Sequence, residues 1–397
     1  MASNRSPLLP IFLIVLVDIL GMTIILPLLP FYALHFGASD TVVGLLISTY
    51  ALCQLVAGPV LGSWSDRIGR KPLLILSQLG TFIGFLILAK AWALWVIFLS
   101  RIIDGITAGN LSLAQAYIAD VTEPQNRAKS FGVIGIAFGI GFLVGPGISG
   151  FLSQYGYSYP IFAAAALSLG SVFCTAMLLP KAEPHEAGEV AGPGGKRLGL
   201  LDWGRYAEYF GRPGLGKLLW EFFFFAFPFA LFIGGFALFA SKRYVWNGHP
   251  VGAKEVGYIF AYVGMLGIIL QGGLIGRLVK RFGERALVRT GYLSTGIGCA
   301  LIGFSKTIGQ LLGASTVNSY GMGVLRPSIT ALITHKAGRH EQGIVLGLTQ
   351  SITSMSSVVA PAIAGALIDR NWLLGWALLT AAFAFGGLIL SYSGQPE

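Results

Sequence analysis

Charge is what this chain has least of. Only 11% of its 397 residues are Asp, Glu, Lys or Arg, against 54% hydrophobic, whereas a soluble globular chain is about a quarter charged. A mean hydropathy of +0.73 completes the exclusion of a water-soluble globule and places the chain in a bilayer. Cysteine is scarce as well. Cys53, Cys174 and Cys299 each fall inside an apolar run with no CxxC or Cys/His spacing, which argues against a disulfide framework or zinc site and leaves them as packing residues. No Walker sequence, nucleophile–base spacing or metal-binding cluster is visible. A membrane enzyme or receptor is therefore disfavoured, and neither a cofactor nor a metal is expected.

What the chain has instead is apolar length. A bilayer core takes about 20 residues of helix, and twelve runs qualify: 8–34, 41–61, 73–90, 94–119, 131–153, 159–179, 216–240, 255–276, 286–304, 309–334, 343–369 and 373–393. The expected fold is all-α and integral to the membrane, with twelve transmembrane helices. The first run is long, lacks a strongly basic leader and contains Pro27 and Pro30, so it reads as its own insertion signal. Gly is abundant, at 55 residues, as suits membrane helices that approach through small side chains. The net charge of +10 would suggest nucleic acid in a soluble protein, but its distribution gives a different reading. With the N-terminus inside, the outer segments hold only Lys90, Lys242, Arg243, Lys254, Lys306 and Arg370, and the other loop cations fall on inner segments. The positive-inside rule puts both termini in the cytoplasm of a cell membrane, by expectation the bacterial inner membrane. The bilayer is a partner, and nucleic acid is not.

The longest polar segment, 180–215, divides the helices six and six, giving an N-terminal bundle over 1–179 and a C-terminal one over 216–397. Its first part, "KAEPHEAGEVAGPGGKR", reads as a flexible linker. The second, "LGLLDWGRYAEYFGRPGLGKLLW", mixes Trp, Tyr, Leu and Arg as a segment lying along the membrane face does. The two halves repeat one another. "GSWSDRIGRK" (Gly62 to Lys71) returns as "GRLVKRFGER" (Gly276 to Arg285), with Gly62, Arg67, Gly69 and Lys71 matching Gly276, Arg281, Gly283 and Arg285. Gly132, Pro146 and Gly150 likewise match Gly347, Pro361 and Gly365. Such spacing indicates a duplicated six-helix unit, and an even helix number relates the halves by an axis along the membrane normal.

These motifs carry a resemblance. "GSWSDRIGRK" resembles the signature of the major facilitator superfamily between helices 2 and 3, and "RIIDGITAGN" its second signature in helix 4. "GVIGIAFGIGFLVGPGISG" is similar to its antiporter signature, with Gly132, Gly141, Gly145, Pro146 and Gly150 in register and Ser149 in place of a usual Gly. "VDILGMTIILPLLP" also resembles the first helix of the drug/proton antiporters that include tetracycline efflux pumps. The resemblance covers almost the whole chain. It implies two bundles that rock about a central site, with Gly62, Asp66, Arg67, Gly69, Arg70, Gly141, Gly145 and Pro146 serving the gates. Asp66 and Arg70 would latch the outward-open state. In the second copy Lys280 and Glu284 reverse the charges, so that latch is expected to be weaker.

A charge inside hydrocarbon is costly and marks a functional candidate. Asp18 lies roughly 15 Å from the start of the first span, and Arg101 and Asp104 lie roughly 10 to 15 Å from the outer end of the fourth, all near the midplane. On a helical wheel Arg101, Asp104, Ala108, Ser112 and Gln115 share one face. Burial favours a neutral acid and a nearby guanidinium favours the anion, so carboxylates beside Arg101 suit proton coupling. A permanent Arg–Asp lock between two helices is the other reading. In the second half Arg326 either snorkels or binds an anionic group. Gln54, Gln271, Asn318 and Gln350 are polar groups within spans, suited to interhelical hydrogen bonds or to substrate. Gln271 is favoured for substrate by resemblance to the tetracycline exporters. Where those exporters carry an acid in helix 3, a His in helix 8 and an Asp in helix 9, this chain has Gly84, Gly267 and Thr295, which disfavours a metal–tetracycline complex. A Phe-rich surface along "WEFFFFAFPFAL" offers aromatic contact to substrate or to lipid. The expected function is proton-driven export of small hydrophobic or amphipathic compounds by a monomer. Symport or facilitated passage of a sugar or organic acid on the same fold is the alternative.

Overall fold

The structure, a computed structural model, describes residues 8–121, 127–179, 203–337 and 341–393. It is helical nearly throughout. The helices are α1 (Leu8–His35), α2 (Asp40–Ile68), α3 (Arg70–Ala89), α4 (Leu94–Thr107), α5 (Asn110–Val121), α6 (Arg127–Ser153) and α7 (Ser158–Leu178), followed by α8 (Trp203–Gly211), α9 (Leu215–Arg243), α10 (Ala253–Ile269), α11 (Ile275–Phe304), α12 (Ile308–Lys336), α13 (Gln342–Asp369) and α14 (Leu373–Tyr392). A π-helical turn, Leu270–Leu274, joins α10 to α11. Two-residue strands β1 (Val245–Trp246) and β2 (His249–Pro250) pair antiparallel around Asn247 and Gly248, both at positive φ as a tight hairpin turn requires.

Among the described residues ten helical stretches are long and apolar enough, by length and composition, to cross a membrane. One of them, Ala253–Phe304, has 52 residues, about 78 Å of helix and more than twice a bilayer core. Its backbone leaves the helical path at Gly283 (φ 77, ψ 159). The corresponding turn between α2 and α3 is made by Gly69 (φ 100, ψ 153). Both conformations lie in the left-handed region that glycine enters without penalty, at positions that match in the sequence repeat.

The fourth apolar run departs from the expected single helix. It breaks at Ala108 and Gly109 into α4 and α5. The break is held from α3, where the Ser77 hydroxyl donates to the Thr107 carbonyl and accepts from the Gly109 amide at 2.9 Å. Gly80 makes room, since a side chain there would strike Thr107.

Contacts gather the chain into two compact units. The first holds Met1–Gly37, Leu52–Val190 and Ala253–Gly264, and the second Ala38–Ala51, Ala191–Gly252 and Met265–Glu397. The first turns of α2 and of α10 are thus counted away from their sequence neighbours, and glycine is the reason in each case. Within the first unit, a Cβ at Gly257 of α10 would lie 2.6 Å from the Pro146 carbonyl oxygen and 2.8 Å from the Gly150 Cα on α6. Within the second, a Cβ at Gly44 of α2 would lie 3.2 Å from the Ala362 Cα on α13. One at Gly365 would lie 3.1 Å from the Gly44 Cα.

Each unit has its own apolar core. Ile14, Ile19, Leu73, Leu113 and Tyr117 lie at the centre of the first, and Leu219, Phe222, Phe225, Val288, Tyr292 and Leu325 at the centre of the second. The aromatic run on α9 therefore lines neither a substrate surface nor lipid for most of its length. Phe222, Phe225 and Phe227 are buried, and the Phe227 ring stacks 4.5 Å from that of Phe383 on α14. Only Trp220 of this run is left well exposed, at 49%. Glycine at close crossings predicts an inverted response to alanine, ordinarily the better helix former. Gly257→Ala should lower stability by about 1 to 3 kcal/mol through overpacking, whereas Gly267→Ala, facing open space on the same helix, should be neutral or stabilising. Thermal unfolding of both variants in detergent checks this.

Candidate functional site

The charges expected near mid-membrane meet within the first unit. Arg101 and Asp104, one turn apart on α4, are both 4% exposed, and Arg101 Nη1 donates to Asp104 Oδ2 at 3.0 Å. The guanidinium lies 5.6 Å from the Phe85 ring centroid on α3, and its Nη2 is buried without a hydrogen-bond partner. Asp104 reaches this position because residue 84 has no side chain: a Cβ at Gly84 would lie 3.0 Å from the Asp104 Cβ. Thr81 of α3 also faces the Asp104 carboxyl. Asp18, on α1, faces Gln78 of α3 and Ser171 of α7, and its charge interacts with that of Asp104. Arg101 is bonded to Asp104 alone of the two carboxylates. The arrangement is one tight pair with a second carboxylate beside it, rather than an Arg between two acids.

The polar face drawn through α4 does not continue. Past the break at Ala108 and Gly109, Ser112 and Gln115 on α5 are exposed while Arg101 and Asp104 are buried, and the Ser112 hydroxyl donates to the Gly109 carbonyl at 3.0 Å. Gln54 is half-buried, and Arg326 and Gln350 are exposed. Asn318 is not open to a ligand. It is 4% exposed, accepts from the Cys299 thiol at 3.5 Å, and a Cβ at Gly298 of α11 would lie 2.6 Å from its backbone nitrogen. Gln271 is exposed in the π-helical turn, beside Gly272 and Gly273, which have open space around them.

At the α2–α3 turn Arg70 Nη1 pairs with Asp66 Oδ1 at 2.6 Å and also donates to the Ser65 hydroxyl. Gly69 donates its amide to the Ser65 carbonyl at 3.1 Å. Gly62 and Arg67 lie on the last turns of α2, half-buried and exposed respectively. Lys71 has a role the motif alone did not reveal: its Nζ caps the end of α7 by donating to the carbonyls of Ala176 and Leu179 at 2.8 and 2.6 Å. Among the described residues, no ion pair joins Lys280 to Glu284 in the second copy. On α6 the antiporter-type glycines seat α1. Gly141 lies under Ile19 and Gly145 under Thr23, and the Thr23 hydroxyl donates to the Gly141 carbonyl at 2.9 Å. The side chains of Arg127 and Lys129, cations that follow α5, lie outside the described residues.

Three charged groupings of the second unit escaped the sequence reading. Glu221, near the start of the seventh apolar run, is fully buried in the second turn of α9. Arg285 Nη1 donates to its Oε2 at 2.7 Å, Lys217 Nζ stands 4.0 Å from its Oε1, and the Tyr292 hydroxyl donates to its backbone carbonyl. The four-residue step from Lys217 to Glu221 was the available signal. Asp40, 4% exposed, bonds Lys242, whose Nζ also donates to the Ile368 carbonyl at 3.2 Å. Beyond α8, Arg212 donates to Glu341 at 2.8 Å and to Glu208 at 2.7 Å, and these bonds hold its guanidinium above an already high ordinary value.

Comparison with known proteins gives a consistent set of matches. The family model described as "Major Facilitator Superfamily" matches residues 11–278 and 272–396. The tetracycline resistance protein, class E, of Escherichia coli is 30% identical over 390 residues, covering 96% of this chain and 94% of that protein. Multidrug resistance protein 2 of Bacillus subtilis (strain 168) is 28% identical over 393 residues, covering 96% and 92%. Among solved structures, the human organic anion transporter MFSD10 (TETRAN) superposes with a TM-score of 0.73 at 21% identity, covering 98% of this chain and all of that one. The buried acid on α9 predicts an asymmetry in the response to substitution. Arg285→Ala strands the carboxylate and should cost about 2 to 4 kcal/mol, below the usual figure for a buried pair because Lys217 remains and water reaches the half-buried Arg285 position. Adding Glu221→Gln should recover most of that loss in thermal unfolding.

Proposed function

Because the chain belongs to the major facilitator superfamily and is a multi-pass membrane transporter, we propose that it is a proton-coupled antiporter exporting small hydrophobic or amphipathic compounds by alternating access. The observation that carries this reading is the buried Arg101–Asp104 pair with Asp18 beside it, in a chain similar along its length to proteins named for tetracycline and multidrug resistance. A carboxylate that moves between a guanidinium and an apolar environment binds and releases a proton as its surroundings change. Coupling would then follow from a small displacement of α1 against α4.

Tetracycline itself is the poorer candidate. At Gly84, where the resembling exporters carry an acid, the space is filled by Asp104 from α4, and Gly267 and Thr295 offer no ligand of the expected kind. A broad apolar substrate class fits better, with Gln54, Ser112, Gln115, Gln271, Arg326 and Gln350 as its polar contacts. Asn318 drops out of this set because it is spent in α11–α12 packing.

The architecture proposed is twelve spans in two six-helix bundles, 1–179 and 216–397, related by a two-fold axis along the membrane normal. The paired turns at Gly69 and Gly283 support it, as do the paired seats of Gly257 on Pro146 and of Gly44 on Pro361. Both termini would face the cytoplasm, the segment between the bundles would lie partly along the membrane face, and the monomer would be the working unit. Asp66 and Arg70 would latch the cytoplasmic side.

Two outcomes follow. Asn at the coupling carboxylate, Asp18→Asn or Asp104→Asn, should abolish uphill accumulation in vesicles while sparing substrate exchange at equal pH. Full proton-driven accumulation in both variants would sink the scheme. Asp66→Asn should open the cytoplasmic side, read as spin-label distances across it, whereas Lys280→Ala, lacking a partner at Glu284, should leave them unchanged.

A further inference from the structure

The cluster around Asp18 contains a buried amide that the reading above does not use. Gln78 on α3 and Ser171 on α7 are both fully buried. Gln78 Nε2 donates to Ser171 Oγ at 2.7 Å, the Ser171 hydroxyl points to the Ile14 carbonyl 3.5 Å away, and the Ser168 hydroxyl donates to the Gln78 backbone carbonyl at 3.1 Å. These bonds fix both the turn of α3 that carries Gln78 and the orientation of its amide. Nε2 carries a second N–H, and the Gln78 and Ser171 side chains both hydrogen-bond to the Asp18 carboxylate as donors, so the amide oxygen is the end left without a partner.

Two oxygens in this nest are buried without a partner: Asp18 Oδ1 and Gln78 Oε1. An ionised carboxylate and an amide carbonyl are both acceptors, so neither can satisfy the other. Each carries the desolvation cost of an unmade hydrogen bond. A single proton removes both deficits, because a protonated Oδ1 becomes a donor while Oε1 stays an acceptor.

We propose that Gln78 is a positioning residue for the transported proton: on protonation, Asp18 Oδ1–H donates to Gln78 Oε1, while Ser171 holds the amide in register by accepting from Nε2. The covalent bond formed is Oδ1–H and the one broken is an O–H of a hydronium ion, which leaves as water, while the carboxylate passes from one negative charge to none. Release reverses the step. The charged groups facing this site are Asp104 and, bonded to it, Arg101, both on α4. The described spans of α3, α6 and α7 bring no charged residue to this depth, and α7 adds only the Cys174 thiol, one turn from Ser171. The proposal rests on Asp18 being a coupling carboxylate, and it adds that the neutral acid has a built acceptor.

Infrared difference spectra of the whole protein in lipid nanodiscs, recorded across pH without substrate, test this. A protonated-carboxyl C=O band that vanishes in Asp18→Asn should appear in the parent protein. It should move to higher frequency in Gln78→Met, which fills the same space without an acceptor, and in Gln78→Asn, which draws the amide back by one methylene. Ser171→Ala, which frees the amide to turn, gives the same readout if either Gln78 variant fails to fold. An Asp18 band that stays in place in the Gln78 variants overturns the role of Gln78 and leaves coupling at Asp18 standing. No band assignable to Asp18 at any pH overturns both.

Discussion

A charge taken into hydrocarbon has no water to fall back on, and the interior of the first unit is organised around that fact. The desolvation of Arg101 and Asp104 is offset only by their mutual bond and by the polar groups drawn toward them. Small residues on α3 follow from it. Gly84 leaves the volume that Asp104 occupies, and Gly80 lets Thr107 close against α3. Ser77 then supplies both the acceptor and the donor that the broken end of α4 needs. Replacing any of these with a larger or apolar residue would move a charge, not merely a helix. The stretch "SQLGTFIGF" is apolar on its face, but its spacing of Ser, Gly and Gly is dictated by what α4 brings to it.

Much of this was legible in the sequence because its causes are local. Apolar length is borne out by ten described stretches able to cross a membrane, and the glycine of each charged loop turns the chain at Gly69 and at Gly283 with nearly the same backbone angles. The three charges expected near mid-membrane stood out for want of company, and two of them pair. What escaped depends on neighbours that no spacing reveals. A helical wheel through Ala108 and Gly109 assumes a continuous helix, and the hydroxyl that interrupts it belongs to another helix. Glu221 reads as a helix-end acid until Arg285, sixty-four residues on, is found to neutralise it in the core. Gln78 meets the same criterion that drew attention to Gln54 and Gln271, a polar group within a span, but nothing in the sequence separates a buried amide from one facing lipid. The aromatic run of α9 misled for a related reason, since composition cannot say how many helices surround a span.

The paired glycine contacts show how little material holds a helix crossing in place. On α6 the proline and glycine of "GPGISG" present bare backbone to Gly257, and on α13 those of "APAIAG" do the same to Gly44. Without side chains between them, neighbouring backbones meet at van der Waals distance, and dispersion replaces the hydrophobic driving force that lipid removes. Such a crossing is strong when seated and has nothing to hold it at partial separation, a property suited to contacts that form and break as a whole.

The π-helical turn at Leu270–Leu274 bears on the ancestry of the chain. Gly44 and Gly257 stand 213 positions apart (44 to 257), while the glycines further along the same helices, Gly62 and Gly276, stand 214 apart (62 to 276). The second copy therefore gained one residue, or the first lost one, between those points, and the widened turn lies in that interval. A π turn is the form in which a helix absorbs an extra residue without rotating everything beyond it. Such an insertion would have left the seat on α6 and the turn at Gly283 in register while displacing Gln271 and its two glycines from the helical cylinder. The two halves would have diverged here by a single codon, at the stretch where the helix widens into a π turn.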